Sequence, residues 1–384
     1  MRYLIIGNPE NRRVTLFQQA LARQGEAAAR VVAYGDLLSR GPEEALLALP
    51  DQPTLLRIDS AGEDFEVERG LLGLGYEEAL QAGVSTVGPD ELATLRPDRG
   101  RILCPRQLHL GFLRLLHRLK AVLQRRPAWR PLATIETIAE LFDKRATSAR
   151  YAAAQIPVPG ALFGEDGGAI TCPDQLREVM REHEISSAFV KLSCASSASC
   201  LAVYYPGRSR GSEFLMTTTE MTPSAWYNSL RLRRISHRAR IDELLTFLLR
   251  EGSQIERQVP KARLAGAFFD CRVLAVAGEP AFTVVRQSRH PITNLHLGGW
   301  RGDLAQLRRE LPGETWQRAL RTCRKVAGLH RTHQLGIDLM FEPGLRGLRV
   351  LEANAFGDLL PGLTREGMDV YEWQIHRARE RRGC

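Results

Sequence analysis

Two apolar segments near the C-terminal end, residues 335–342 and 347–355, place the strongest constraint on how this chain can fold. They flank a Pro-Gly dipeptide and predict two adjacent strands of one sheet. Because successive strand side chains point to opposite faces, Glu352 and Asn354 share one face of the second strand. A polar pair on a buried face needs a partner that offsets the cost of desolvation. With Asp338 on the first strand, the pattern predicts a bound cation as that partner.

The donor atoms of this strand pair indicate which cation to expect. Asp338, Glu352 and Asn354 offer hard oxygen ligands, which magnesium prefers in proteins. The simpler alternative is that each carboxylate forms a structural ion pair with a lysine or an arginine.

Further polar residues interrupt apolar strands in the middle of the chain, namely Lys191, Glu256, Asp270, Arg272 and Arg286. One such residue is most simply a salt-bridge partner, whereas a group of them predicts a shared charged site between sheets. Lysine and arginine suit phosphate oxygens. Together with magnesium they are the equipment of phosphoryl transfer from ATP. A set of ordinary ion pairs is the alternative.

The first 60 residues alternate between apolar strands and a helix, in the segments 3–7, 12–25, 29–38 and 54–60. Strand–helix–strand alternation predicts a parallel sheet. The turn after the first strand lacks the GxGxxG fingerprint, which argues against a nicotinamide site.

The third of these strands carries Arg57 near its carboxyl end, followed by Asp59. Ligands bind at strand carboxyl ends in open α/β sheets, so Arg57 is predicted to contact a substrate. A surface salt bridge between Arg57 and Asp59 is an equally good explanation.

The chain length predicts two or three domains, because 384 residues exceed the usual size of one. We place a linker at residues 126–131. The predicted units are an N-terminal α/β domain (1–130), a small subdomain with a lid (131–205) and a large subdomain with the metal site (206–384).

Composition narrows the class of partner. The net charge of +9 favours an anionic partner, which could be a nucleotide, an acidic peptide or a nucleic acid. The most basic stretch, residues 231–240, is expected to be an exposed loop or helix face.

No apolar run approaches the roughly 20 residues of a membrane span, and no signal peptide is evident, so we expect a cytoplasmic protein. The seven cysteines lack the spacing of a zinc site.

The order of the motifs resembles the ATP-grasp superfamily, and most closely its glutathione synthetase and ribosomal-S6-modification type. The likeness covers about residues 140–362 and is most specific in GIDL and LEANAFG. The chain is also similar to bacterial ATP-grasp proteins of peptide-modifying gene clusters. This resemblance implies an α/β ATP-grasp fold, in which two α+β subdomains clamp ATP, preceded by an N-terminal Rossmann-like parallel-sheet domain.

The resemblance also implies a role for each matching residue. The phosphate-binding lysines match Lys144 and Lys191, and the adenine hinge matches Glu256, Arg257, Gln258 and Val259. The arginines that stabilise the transferring phosphoryl group match Arg272 and Arg286, and Asn294 matches a polar residue near the acyl phosphate. The magnesium ligands match Asp338, Glu352 and Asn354.

The implied activity is ligation of a carboxylate to an amine, with ATP and Mg²⁺ as cofactors. ATP phosphorylates the carboxylate, and an amine attacks the acyl phosphate to form an amide or peptide bond. Both substrates can be small molecules or peptides; a homodimer is compatible with the resemblance, and nucleic acid is not an expected partner.

Two departures from the family pattern keep other functions open. Relatives carry a glycine-rich lid after the second lysine, whereas residues 193–200 contain no glycine, and residues 226–240 match no motif with a role in the family. One alternative is an ATP-grasp scaffold that binds nucleotide and an acidic peptide or nucleic acid without turnover. Another is a kinase-like enzyme that stops after phosphoryl transfer.

Overall fold

The structure is a computed structural model that describes residues 2–164, 167–194, 199–207, 212–357 and 359–380. Its N-terminal part contains a four-stranded parallel sheet in the order β2-β1-β3-β4. The strands are β1 (Tyr3–Ile6), β2 (Arg30–Val32), β3 (Thr54–Ile58) and β4 (Trp129–Pro131). The predicted parallel sheet is confirmed. The segment 126–131, predicted as a linker, instead contributes the edge strand β4.

Seven helices surround this sheet: α1 (Arg12–Arg23), α2 (Tyr34–Ser39), α3 (Pro42–Leu47), α4 (Phe65–Leu74), α5 (Tyr76–Gln81), α6 (Pro89–Thr94) and α7 (Pro105–Gln124). Asn11 caps α1, because its side chain accepts a hydrogen bond from the backbone N–H of Arg13. Helices α4 and α7 cross so closely that a Cβ on Gly111 would lie 1.8 Å from the carbonyl oxygen of Leu71. Only a glycine at position 111 permits so close an approach of the two helices.

The second sheet has five antiparallel strands in the order β8-β7-β6-β5-β9. They are β5 (Ala188–Leu192), β6 (Ala202–Tyr205), β7 (Phe214–Met221), β8 (Trp226–Ile235) and β9 (Ser253–Arg257). The associated helices are α8 (Ile135–Leu141), α9 (Lys144–Ala153), α10 (Pro173–Glu182) and α11 (Arg238–Arg250). The predicted boundary at residue 205 falls between β6 and β7, inside this sheet.

The basic stretch 231–240 does not form the predicted loop or helix face over most of its length. Residues 231–235 belong to the edge strand β8, and α11 begins at Arg238. Leu230, Arg231 and Arg233 are exposed at this edge. The start of β8 is covered, because Asn228 donates its backbone N–H to the carbonyl of Gly100 at 2.7 Å.

The third sheet carries most of the polar residues singled out from the sequence. Its strands run in the order β13-β12-β11-β14-β15, with β10 paired to β11. They are β10 (Arg263–Leu264), β11 (Ala267–Val276), β12 (Glu279–Ser288), β13 (Trp300–Gly302), β14 (Gln334–Phe341) and β15 (Leu348–Asn354), and α12 (Leu304–Glu310) and α13 (Thr315–Gly328) accompany them. The predicted strand pair is confirmed as β14 and β15.

The chain ends by returning to the N-terminal sheet. The short strands β16 (Thr364–Arg365) and β17 (Met368–Asp369) precede α14 (Val370–Glu380). Tyr371 and Ile375 of α14 share a core with Ile5 and Phe17. The end of the chain is therefore a docked helix as far as Glu380, and residues 381–384 lie outside the described part. Among the described helices, none combines the length and apolar content needed to span a bilayer.

Candidate active site

A cleft of about 910 Å³ lies where the three sheets meet. Its walls come from the loops after β1 and β3, from α7, and from the facing surfaces of the five-stranded and six-stranded sheets. Lysine and arginine outnumber aspartate and glutamate among its lining residues. The cleft can therefore accept a ligand that carries several negative charges.

Strand register places three of the predicted residues in one row across the floor of the cleft. Arg272 on β11 is opposite Asp338 on β14, and Asp338 is opposite Glu352 on β15. Asn354 lies two residues beyond Glu352, opposite Gly336. A Cβ on Gly336 would lie 3.3 Å from a terminal nitrogen of Arg272, so the glycine leaves room for this side chain.

Two arginines hold Asp338, which is 5% exposed. Arg272 donates from Nε and, at 3.1 Å, from Nη2 to the carboxylate. Arg286 Nη2 lies 3.1 Å from Asp338 Oδ2. Both arginines that were predicted to stabilise the transferring phosphoryl group are thereby held beside Asp338, one of the predicted magnesium ligands.

A second buried carboxylate, Asp270, aims Arg286 from the other side. Arg286 Nε donates to Asp270 Oδ1 at 2.7 Å, and Lys261 Nζ lies 3.1 Å from Asp270 Oδ2. Thr293 Oγ1 accepts from Lys261 Nζ at 2.8 Å and donates to Asp270. Burial opposes ionisation of Asp270, but Lys261 and Arg286 lower its pKa to about 2. Lys261, which also lines the cleft, was missed from the sequence because it lies outside an apolar strand.

The predicted magnesium ligands have the donor chemistry that the ion requires. Two carboxylates and one amide face the same space, and Asn354 Nδ2 lies 3.4 Å from Glu352 Oε1. Burial opposes ionisation of Glu352, yet Lys144, Lys191 and Arg272 together lower its pKa. Within the described ranges no group of three or more histidine, cysteine or acidic residues is arranged for a metal. This set suits magnesium, which often uses one or two carboxylates and completes its shell with phosphate oxygens and water.

The two predicted phosphate lysines approach the site from different elements. Lys144 begins α9, and its Nζ lies 3.8 Å from Glu352 Oε2. Lys191 on β5 contacts Glu256 of β9 at 2.5 Å. Both lysines line the cleft.

The predicted adenine hinge lies at the end of β9. Glu256, Arg257 and Val259 line the cleft, whereas Gln258 is not among the lining residues, and its backbone N–H donates to the carbonyl of Ser187. Glu256 is 2% exposed, and its Oε1 is a buried acceptor with no hydrogen-bond partner among the described residues. A buried carboxylate oxygen without a donor fits a ligand hydroxyl, such as one of a ribose.

Asn294 lines the cleft and caps the short 3₁₀ turn Leu295–Leu297. Its side-chain oxygen accepts from the backbone N–H of His296 at 2.9 Å. Of the predicted lid, residues 195–198 lie outside the described part of the chain. Beyond that gap, Ser199 Oγ lies 2.9 Å from Asn228 Oδ1.

The structure does not bring Arg57 into the cleft. Arg57 is 2% exposed and donates to both carboxylate oxygens of Asp59 at 2.8 and 2.9 Å. It also donates to Gln374 Oε1 at 2.8 Å and lies over the rings of Phe17 and Tyr371. Since β3 side chains alternate, the arginine points into the interface with α14 and not toward the cleft.

The loops after β1 and β3 supply cleft residues that were missed from the sequence, among them Asn11, Arg13, Ser60 and Glu63. The order β2-β1-β3-β4 makes the gap between β1 and β3 the point where the chain switches sides, which is where ligands bind in such sheets. Arg13 donates to the carbonyl of Phe356 at 2.6 Å and so joins this loop to the segment after β15. The sequence signal for these residues is their position just after a strand. Arg57, by contrast, lies within β3.

Comparison with known proteins identifies the fold. No family model matches the sequence, and no curated protein does. Among solved structures, the chain is similar to D-cycloserine synthetase DcsG, with 12% identity, a TM-score of 0.56 and coverage of 99% of both chains.

Two ATP-grasp ligases solved with peptides are similar to a comparable degree. One is the RiPP-associated ATP-grasp ligase of Chryseobacterium gregarium in complex with ADP and a leader and core peptide, with 11% identity, a TM-score of 0.54 and coverage of 99% of this chain and 97% of that one. The other is the ATP-grasp ligase PsnB with a variant of its minimal precursor, Mg and ADP, with 12% identity, a TM-score of 0.52 and coverage of 99% and 98%. The predicted ATP-grasp fold with an N-terminal parallel-sheet domain is confirmed.

Proposed function

We propose that this chain, which has the ATP-grasp fold, is an ATP-dependent carboxylate–amine ligase that works through an acyl phosphate. The observation that carries the proposal is the row Arg272–Asp338–Glu352 across three strands, with Lys144 beside Glu352 and Arg286 beside Asp338. Acids for a divalent cation and bases for phosphate thus share one cleft. The similar structures are two ATP-grasp ligases and a synthetase, which agrees with this class.

Nucleotide binding is assigned to the side of the cleft formed by β5, β9 and α9. Lys144 and Lys191 offer ammonium groups to phosphate oxygens. Arg257 and Val259 line the base site, and the unpaired oxygen of Glu256 accepts from a ribose hydroxyl. When ATP binds, Lys191 can exchange its contact with Glu256 for a phosphate oxygen.

Phosphoryl transfer is assigned to the opposite wall. Arg272 and Arg286 are held in position by Asp338 and Asp270, so they can stabilise the charge that develops on the phosphoryl group. Asp338, Glu352 and Asn354 would hold magnesium, which neutralises phosphate charge when it is bound. Asn294 is placed among the groups that contact the acyl phosphate.

A peptide is the substrate class that we favour for at least one of the two reactants. Two of the similar structures contain precursor or leader and core peptides. The exposed edge of β8, with Arg231 and Arg234, offers positive charge to an acidic peptide, whereas Arg233 pairs with Glu220. Peptide binding that weakens steeply as salt rises would support this use of β8.

One observation favours the alternative of a nucleotide-binding scaffold without turnover. Asp338 is already held by two arginines, as in a structural ion-pair network. The two functions differ in a simple measurement, because only the ligase releases ADP in a manner that requires both a carboxylate and an amine.

The test is a screen of acids, amines and peptides for ADP release from Mg-ATP. In an active combination, Asp338→Asn and Glu352→Gln should each lower turnover by at least about 100-fold, the usual cost of losing one charge-stabilising group. Glu342→Gln is the matched control, because Glu342 lies in the turn of the same hairpin but pairs with Arg349 outside the cleft. Unchanged turnover in the two site variants would refute the site. ATP binding without ADP release in any combination would favour the scaffold.

A further inference from the structure

His109 is a buried imidazole that the roles above leave unused. It lies on α7, is 7% exposed and lines the cleft. Its ring stacks on Phe142 with a centroid distance of 6.3 Å, and Phe142 in turn contacts Phe112 and Phe356. These aromatic residues come from α7, from the end of α8 and from the segment after β15. The imidazole therefore lies where the N-terminal domain meets the phosphate and metal end of the cleft.

His109 lacks a hydrogen-bond partner among the residues that the structure describes, although both ring nitrogens can take part in hydrogen bonds. The ring lines the cleft and its nitrogens are not among the enclosed polar atoms without a partner, so a ligand or water in the cleft can reach them. The charged groups around it are Arg106, Asp143 and Lys144. Because Lys144 also approaches Glu352, this ligand partner is to be sought near the reacting phosphate.

The ligase reaction requires a group that accepts a proton from the amine. The buried carboxylates of the cleft are poorly suited to this role. Each of them already faces a cation: Asp270 faces Lys261 and Arg286, Asp338 faces Arg272 and Arg286, Glu256 faces Lys191, and Glu352 faces Lys144. Protonating any of these carboxylates would leave a buried cation without its counter-charge.

The other acids of the cleft are more exposed and also have partners. Glu63 accepts from Asn11, Asp98 accepts from Tyr227, and Glu68 accepts from the backbone of Glu63. His109 differs from all of them in being buried, unpaired and uncharged. Burial, together with Arg106 and Lys144, lowers its pKa to about 4, so the imidazole is uncharged before substrates bind. Phosphate charge bound at Lys144 would offset part of this lowering and make the ring a better proton acceptor.

We propose that His109 is a catalytic residue that accepts the proton of the attacking amine, an assignment that rests on the proposed ligase function. The amine nitrogen bonds to the carbonyl carbon of the acyl phosphate, and the bond from that carbon to the bridging phosphate oxygen breaks. The oxygen keeps the electron pair. The nitrogen loses one proton to the imidazole, which passes it to the departing phosphate, so that the products are an amide and hydrogen phosphate. The transfer becomes favourable as the new C–N bond makes the nitrogen more acidic.

Hydroxylamine and methylamine separate this step from the first half of the reaction. Hydroxylamine is uncharged at neutral pH and captures acyl phosphates with little need for a base, whereas an alkyl amine needs one. The carboxylate is the one that supports ADP release by the unaltered protein. In His109→Phe and His109→Gln, hydroxamate formation should stay within about threefold, while amide formation with methylamine should fall at least about 100-fold, as is typical for the loss of a general base.

The matched control is His117→Phe, the same change on the exposed face of the same helix, and it should leave both products unchanged. Thermal stabilisation by Mg-ATP checks that each variant is folded, and the glutamine variant retains polarity if the phenylalanine variant does not fold. Equal losses of hydroxamate and amide would mean that His109 serves packing only, which overturns the inference. Undiminished amide formation would overturn it too.

Two further outcomes distinguish a failure of this assignment from a failure of the proposed ligase function. If Glu68→Gln loses amide formation while the His109 variants keep it, the proton acceptor is Glu68 and the inference is wrong. If the unaltered protein forms no hydroxamate with any carboxylate of the screen, the ligase function itself fails and this assignment falls with it.

Discussion

Replacing Arg57 by methionine should destabilise the protein without altering its chemistry. Arg57 makes three hydrogen bonds, two to Asp59 and one to Gln374, and its guanidinium carbon lies 4.6 Å from the centre of the Phe17 ring. The substitution would leave Asp59, which is 1% exposed, as a buried charge without a partner. Breaking a buried pair in this way typically costs about 3–5 kcal/mol.

The assay is urea unfolding followed by circular dichroism. With an m value of about 3 kcal/mol/M, the loss corresponds to a fall of the midpoint by about 1–1.7 M. The double variant Arg57→Met with Asp59→Leu removes both charges and should recover more than about half of that fall, because apolar replacements of a buried pair are often tolerated. Since Arg57 lies outside the cleft, the folded variant should keep its KM for each substrate within about threefold.

A different result would contradict this reasoning in a specific way. If the midpoint hardly changes while the KM for one substrate rises strongly, Arg57 contacts that substrate, as its strand-end position had suggested. If the double variant is no more stable than Arg57→Met, the loss comes from the aromatic packing of Phe17 and Tyr371 and not from an unpaired carboxylate.

Three other changes test separate parts of the structure. Asp270→Asn should remove a contribution of about 2 kcal/mol, which corresponds to the fall of its pKa from 3.8 to about 2. Because the folded pKa is the lower one, this contribution is complete above about pH 5, so the difference in urea midpoint between the two proteins should shrink as pH falls from 5 toward 2.5; a constant difference would refute the assignment. Gly111→Ala should destabilise by about 1–3 kcal/mol, since its Cβ would meet the Leu71 carbonyl, whereas Gly73→Ala on α4 meets no atom closer than 3.8 Å and should be neutral or stabilising by up to about 1 kcal/mol. Lys191→Met should weaken Mg-ATP binding, measured by calorimetry, by at least about tenfold, as expected for the loss of a charged hydrogen bond; unchanged affinity would place the phosphates elsewhere.

Local patterns predicted where several strands lie and which of their side chains share a face. The period of two along β15 placed Glu352 and Asn354 on a common face, and the register of the structure brings Asp338 of the neighbouring strand β14 opposite Glu352. Strand–helix alternation likewise predicted the parallel sheet formed by β1, β2 and β3. Both inferences need only the covalent alternation of side chains and the distribution of apolar residues, which are properties of the sequence itself.

Long-range packing decided what these patterns could not. Arg57 follows the same alternation, but only the docking of α14, more than 300 residues away in the chain, turns its face into an interior. The edge strand β8 has a basic, weakly apolar sequence, and it is a strand because β7 offers it backbone partners. In the sequence His109 is one more residue of an amphipathic helix, and only the fold stacks Phe142, which itself contacts Phe356, on its ring. In each case the sequence determines which side chains share a face, whereas the tertiary structure determines what that face meets, because the partner comes from a distant part of the chain.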